Sequence, residues 1–222
     1  MSASSLTIGT STGNSRVSGI YTISGGSLSL DSSLTLGSTQ GMGTVQQTGG
    51  QVMVGTTLTI GTGGHGGPPL GIYQISAGTL SAGNITAGGM YATGTFEVFG
   101  SDANINAGGL SLASNTGGAL GQLFSHVEAD GLSTIWITGT ASLRGTWEVF
   151  DDGAPLGQWN VLTAASGISA PATVVLPDTN WSWGIDNGNT LWAQHVPEPS
   201  SLILVSVVAL GLLVRVWQRR RH

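Results

Sequence analysis

Short runs in which apolar and small polar residues alternate recur along the first half of the chain, and most of them end on glycine. Leu6-Thr7-Ile8-Gly9, Leu34-Thr35-Leu36-Gly37 and Leu58-Thr59-Ile60-Gly61 are near copies, and Ile85-Thr86-Ala87 and Leu110-Ser111-Leu112 continue the series. Alternation with a period of two predicts strands that bury one face. The copies begin 28, 24, 27 and 25 residues apart, which is too long for a hairpin meander and suits a stacked repeat.

A second strand follows in each unit, centred on Tyr21, Val45, Tyr73 and Phe96, and a third lies seven residues beyond, at Leu28, Val52, Leu80 and Ala103. From the end of the first strand to the centre of the second the chain advances 13, 9, 13 and 9 residues, so one corner absorbs the length change while the other two stay tight. Inward positions then form apolar ladders led by Leu6, Tyr21 and Leu28, and Thr7, Thr35, Thr59, Thr86 and Ser111 line an uncharged outer face. The predicted fold is all-β, a parallel β-solenoid of about five coils over residues 1–120. A stack of twisted antiparallel hairpins is the alternative. Phe99 and Asp102 break the expected glycine punctuation of the fourth unit.

Between residues 121 and 196 lie six of the seven tryptophans, and acidic residues become denser. Gly145-Thr146-Trp147-Glu148-Val149-Phe150 echoes Gly94-Thr95-Phe96-Glu97-Val98-Phe99. Residues 121–196 are expected to form a Trp-rich β cap that protects the open edge of the solenoid, with Asp186-Asn187-Gly188-Asn189 as a hairpin turn. Trp181 and Trp183 alternate and so share a face. Core packing is the favoured use of most of these rings, and stacking on sugar rings is the competing one.

Residues 197–222 differ from the rest. Pro197 and Pro199 stop any upstream strand, the run from Leu202 to Val214 is free of charge, and Arg219, Arg220 and Arg221 follow. The stretch from Ser200 to Trp217 is 18 residues long, near the lower limit of about 17–25 for crossing a bilayer, so a C-terminal transmembrane helix with a cytoplasmic end is expected. The order Pro197-Glu198-Pro199, apolar run, Arg219-Arg220-Arg221 resembles the PEP-CTERM sorting signal of bacterial exported proteins. This resemblance implies export, transient membrane anchoring, recognition by an exosortase and a link to exopolysaccharide or biofilm matrix. A plain tail anchor differs only in keeping its tail. Tyr-Thr-Ile-Ser-Gly-Gly-Ser-Leu at 21–28 and Tyr-Gln-Ile-Ser-Ala-Gly-Thr-Leu at 73–80 resemble the autotransporter-like, β-strand-rich repeats found beside such tails.

Charge narrows the partners. The body to residue 196 carries ten acidic residues against Arg16 and Arg144, near −8, while the tail is +3; the sum is the net −5 of the whole chain. Without lysine it offers no basic footprint, so nucleic acid is excluded as a partner. Zero cysteines exclude disulfides and thiolate chemistry.

No catalytic, cofactor-binding or metal-ligating residue is assigned. Parallel β-helices can carry polysaccharide lyases, yet Arg16, Asp31, Glu97 and Asp102 fall on different coils. Asp151 and Asp152 read as a solvated turn. His65, in a glycine- and proline-rich loop, and His126 and His195 read as isolated. The expected function is an exported cell-surface or matrix protein of structural or adhesive kind, not an enzyme; the alternatives are a carbohydrate-binding or carbohydrate-active protein acting on exopolysaccharide, and a membrane-tethered spacer. Residues 1–20 contain no basic n-region and no apolar stretch of 7–15 residues, so the secretion signal is expected in sequence upstream of Met1.

Overall fold

The computed structural model describes residues 1–11, 17–63, 70–114 and 120–197. The first coils contain β1 (Ser2–Ala3), β2 (Leu6–Thr10), β3 (Ser18–Ile23), β4 (Ser27–Leu30) and β5 (Ser33–Ser38). Three long strands, β6 (Met42–Ile60), β7 (Leu70–Ala87) and β8 (Thr93–Leu112), each run through all three sides of a coil without interruption. Shorter ones follow: β9 (Leu120–Glu128), β10 (Ile135–Ile137), β11 (Ala141–Leu143), β12 (Thr146–Asp152), β13 (Gly157–Ala164), β14 (Ile168–Ser169) and β15 (Thr173–Val175). A hairpin of β16 (Trp181–Asp186) and β17 (Thr190–His195) closes the body.

All pairing from β1 to β15 is parallel, and the coils stack in the expected register. Leu6, Leu34, Leu58, Ile85 and Leu110 are successive partners, as are Tyr21, Val45, Tyr73 and Phe96. Almost every inward side chain is buried, so each coil supplies one layer of a continuous apolar column that no single coil could sequester. Threonine and serine run unbroken along the outer first face, from Thr7 to Ser169.

Corner glycines permit the tight spacing. Gly61 has a φ of +72°, which side chains other than glycine rarely adopt. At Gly71 an added Cβ would overlap the Gly61 nitrogen and the Leu36 carbonyl, because neighbouring coils pass in backbone contact there.

The structure corrects two expectations. Ile105, not Ala103, continues the Leu28, Val52 and Leu80 ladder, because two extra residues enter β8 between Val98 and Asp102. The solenoid has about six turns rather than five: β10, β11 and β12 stack in parallel on β8 and β9, and β13, β14 and β15 stack on them in turn. Ala141-Ser142-Leu143 and Ile168-Ser169 carry the first ladder on, but without the terminal glycine that marks the first four copies.

Among the described residues, antiparallel pairing between these strands enters with the final hairpin, apart from isolated bridges at the corners such as Glu128 with Gly131 and Gly153. β17 pairs with the outer edge of β13 and β16 pairs with β17. The turn is as expected, with φ of 51° at Asn187 and 72° at Gly188 and a 3.0 Å bond from the Asn189 nitrogen to the Asp186 carbonyl.

The tryptophans divide. Trp147 and Trp181 are buried, and Trp159 packs on Trp181. Trp183 meets Trp147 edge to face from a more exposed position, and Trp136 is 52% exposed on another side. Core packing therefore accounts for half of the six, Trp147, Trp181 and the partly buried Trp159, while Trp192 is half-buried and donates through Nε1 to Asp186 Oδ1 at 3.0 Å. Two inward polar side chains are matched to aromatic tips one coil later: the Tyr73 hydroxyl donates to Gln47 Oε1 at 2.6 Å, and Trp147 Nε1 donates to Ser125 Oγ at 3.1 Å. Burial pushes the Tyr73 phenol far above its usual range.

Candidate functional site

The extra residues in β8 begin a trend. From second-strand centre to third-strand centre the chain takes seven residues in the first three coils, then nine from Phe96 to Ile105, twelve from Leu123 to Ile135 and fifteen from Trp147 to Leu162. The lengthened strands carry side chains beyond the apolar layer, where outward residues of three coils stack. Phe99 is the register partner of His126, and His126 of Phe150.

These three rings form one pile. His126 lies 4.1 Å from Phe99 and 4.4 Å from Phe150, with interplanar angles of 17° and 6°. His126 Nε2 is 2.8 Å from Glu97 Oε1 on the coil below, and Nδ1 is 2.6 Å from Asp152 Oδ2 on the coil above. Each nitrogen faces a carboxylate, an arrangement that uses both N–H donors of the protonated ring. Burial works to lower the His126 pKa, but hydrogen bonds and charge from Glu97 and Asp152 outweigh it and hold the ring above its ordinary value. Burial likewise works to raise the Glu97 carboxyl, and His126 and Gln74 more than offset it and leave it below the usual range. Gln74 Nε2 donates to Glu97 Oε2 at 2.7 Å, and Gln46 Nε2 to Gln74 Oε1 at 3.1 Å, so the polar chain spans five coils from Gln46 to Asp152.

His126 is thus not isolated, and Glu97 joins it although they lie 29 residues apart. Proximity in a solenoid follows from coil register, so the missing signal was the column that Phe99, His126 and Phe150 share once strands are aligned. Asp151 behaves as the expected turn residue, its Oδ1 accepting from the nitrogens of Gly153 and Ala154; its neighbour Asp152 serves the histidine instead. A groove of about 340 Å³ lies beside the pile, with Gln46 and Gln74 on its floor and Phe99 and Glu128 at its side.

Chemically the cluster is a clasp. Both imidazole nitrogens are engaged, and no group of three or more histidine, aspartate or glutamate side chains among the described residues is arranged to hold a metal. His195 is stacked on Trp181, with centroids 4.9 Å apart.

Of the sorting residues, Pro197 closes the described body. Glu198, Pro199, Arg219, Arg220 and Arg221 lie outside the described residues, as do the apolar run from Ser200 to Trp217, Arg16 and His65. Among the described residues no helix is long and apolar enough to cross a membrane.

Residues 195–221 match the PEP-CTERM protein-sorting motif. This match implies an exported protein, associated with a membrane through its C-terminal segment and processed by an exosortase. No curated protein and no solved structure shows a significant match to the chain.

Proposed function

We propose that the solenoid is a non-enzymatic structural or adhesive module, delivered by its C-terminal signal to the surface or matrix of a bacterial cell. The observation that carries this reading is the sorting motif, which begins at the last residue of the final strand. The body suits a passive role. Its charged side chains are few, the histidine–carboxylate cluster seen among the described residues engages both imidazole nitrogens, and its outer first face is a plain ladder of hydroxyls.

The apolar run from Ser200 to Trp217 serves as a membrane helix before processing, with Arg219, Arg220 and Arg221 on the cytoplasmic side. Pro197, Glu198 and Pro199 are the element that the processing enzyme reads. Exopolysaccharide is the proposed surroundings of the delivered body.

Cells displaying the full chain are compared with cells displaying only the tail fused to an unrelated exported domain, by cell aggregation and retention in the matrix. Greater cohesion with the solenoid is expected. Equal cohesion would reject the structural or adhesive role while leaving the sorting role standing.

A further inference from the structure

The body runs into its sorting motif without a spacer. His195 is both the last residue of β17 and the first residue of the matched segment, and it is the register partner of Gly157 on one side and Trp181 on the other. Its ring lies on Trp181 with planes 3° apart, and Trp159 stacks against Trp181 in turn. The Val196 nitrogen then donates to the Asn180 carbonyl at 2.9 Å, and Pro197 follows directly.

Enzymes that act on a peptide commonly take it as an extended strand, whose backbone groups must be free to pair with the cleft. Just upstream of Pro197 those groups are already committed to the cap. The same contact also has a built-in weakness. Trp181 Nε1 and His195 Nδ1 are both buried there without a hydrogen-bond partner, so closing the stack leaves two polar atoms unpaired and opening it returns them to water. Strand ends open locally far more readily than a domain unfolds.

We infer that the cap hairpin gates processing: the membrane enzyme acts on the tail only after His195 and Val196 detach from β16. This rests on the proposal that the tail is processed at all. The body's stability at its last strand thereby sets how fast the tail is released, and a chain whose cap has not formed is exposed to the enzyme earlier than a folded one.

The test uses the full chain in cells with an exosortase, following the intact mass after a pulse of synthesis. One variant carries six Gly/Ser residues inserted between Val196 and Pro197, which leaves β17 unchanged. It should be processed on the order of tenfold faster, the factor that removing a local opening of about 1.4 kcal/mol would give. A second variant, Ser182→Cys with Gln194→Cys, places cysteines at directly paired positions. Its oxidised form should be processed more slowly than its reduced form, and adding the insertion should abolish that difference. Equal or slower processing of the inserted chain would overturn the gate and point to an enzyme that reads the folded cap. If neither the natural nor the inserted chain is processed, tail processing itself is rejected, and the gate with it.

Discussion

In the first three coils seven residues carry the chain from second to third strand, and in the last three the same side takes nine, twelve and fifteen. The inward ladders continue across both regions without a break. What changes is how neighbouring coils are joined outside the core. The early coils rely on backbone ladders, aliphatic layers and glycine corners in near contact. Side-chain bridges between the early coils are neutral, as from Gln46 to Gln74, whereas the later ones add charged groups and stacked rings, with His126 joining three coils through two carboxylates and two phenyl rings. A longer corner must order more chain, at about 1–2 kcal/mol per residue of backbone entropy, so extra contacts there have a cost to offset.

The sharpest test of this contrast is a corner of the early coils. Gly71→Ala would drive a Cβ into the backbone of two neighbouring coils, and should cost more than about 3 kcal/mol or prevent folding, as read by urea unfolding. Next comes the inward polar pair. Tyr73→Phe leaves Gln47 Oε1 without its buried partner and should cost about 1–3 kcal/mol, whereas Tyr73→Phe combined with Gln47→Leu should recover only part of the loss, because Gln47 Nε2 also donates to the Thr79 carbonyl at 3.0 Å.

The clasp of the later coils should show a smaller effect, and one that depends on pH. His126 is raised in the folded state, so its contribution is full below its unfolded value of 6.5 and fades as pH rises through the folded value. Glu97 is lowered, so its contribution is present above 4.5 and fades as pH falls through its folded value. The clasp is therefore strongest between about 4.5 and 6.5. There His126→Leu should cost about 1–2 kcal/mol, a figure discounted because Asp152 is half exposed. A loss that stays constant from pH 5 to 9 would mean that His126 acts only as a packed ring. Least affected should be Gly25→Ala: an added Cβ there meets nothing within 4 Å, so the unfolding midpoint should move by less than about 0.5 kcal/mol.

The early coils were legible because Leu-Thr-Ile-Gly repeats its chemistry as well as its spacing. In the later coils the fold kept the register while Ala141, Leu143 and Ile168 replaced the signature and the corners grew, so the sixth turn merged into an expected cap. The Ala103 error has the same cause: counting seven residues from Phe96 assumes a corner of constant length. The histidine clasp stayed hidden because its members meet only through the stack, and nothing local to His126 marks Glu97 as its partner. The sorting tail was legible without any fold, since its order of proline turn, apolar run and arginines is read along the chain.

The central claim is that this body is delivered by its tail and then separated from it. Fractionation with intact-mass measurement, in matched cells with and without an exosortase, tests it most directly. Loss of mass from the C-terminal segment, with the body outside the membrane fraction only where the enzyme is present, is the predicted result. An identical, full-length and membrane-bound chain in both cells would contradict it.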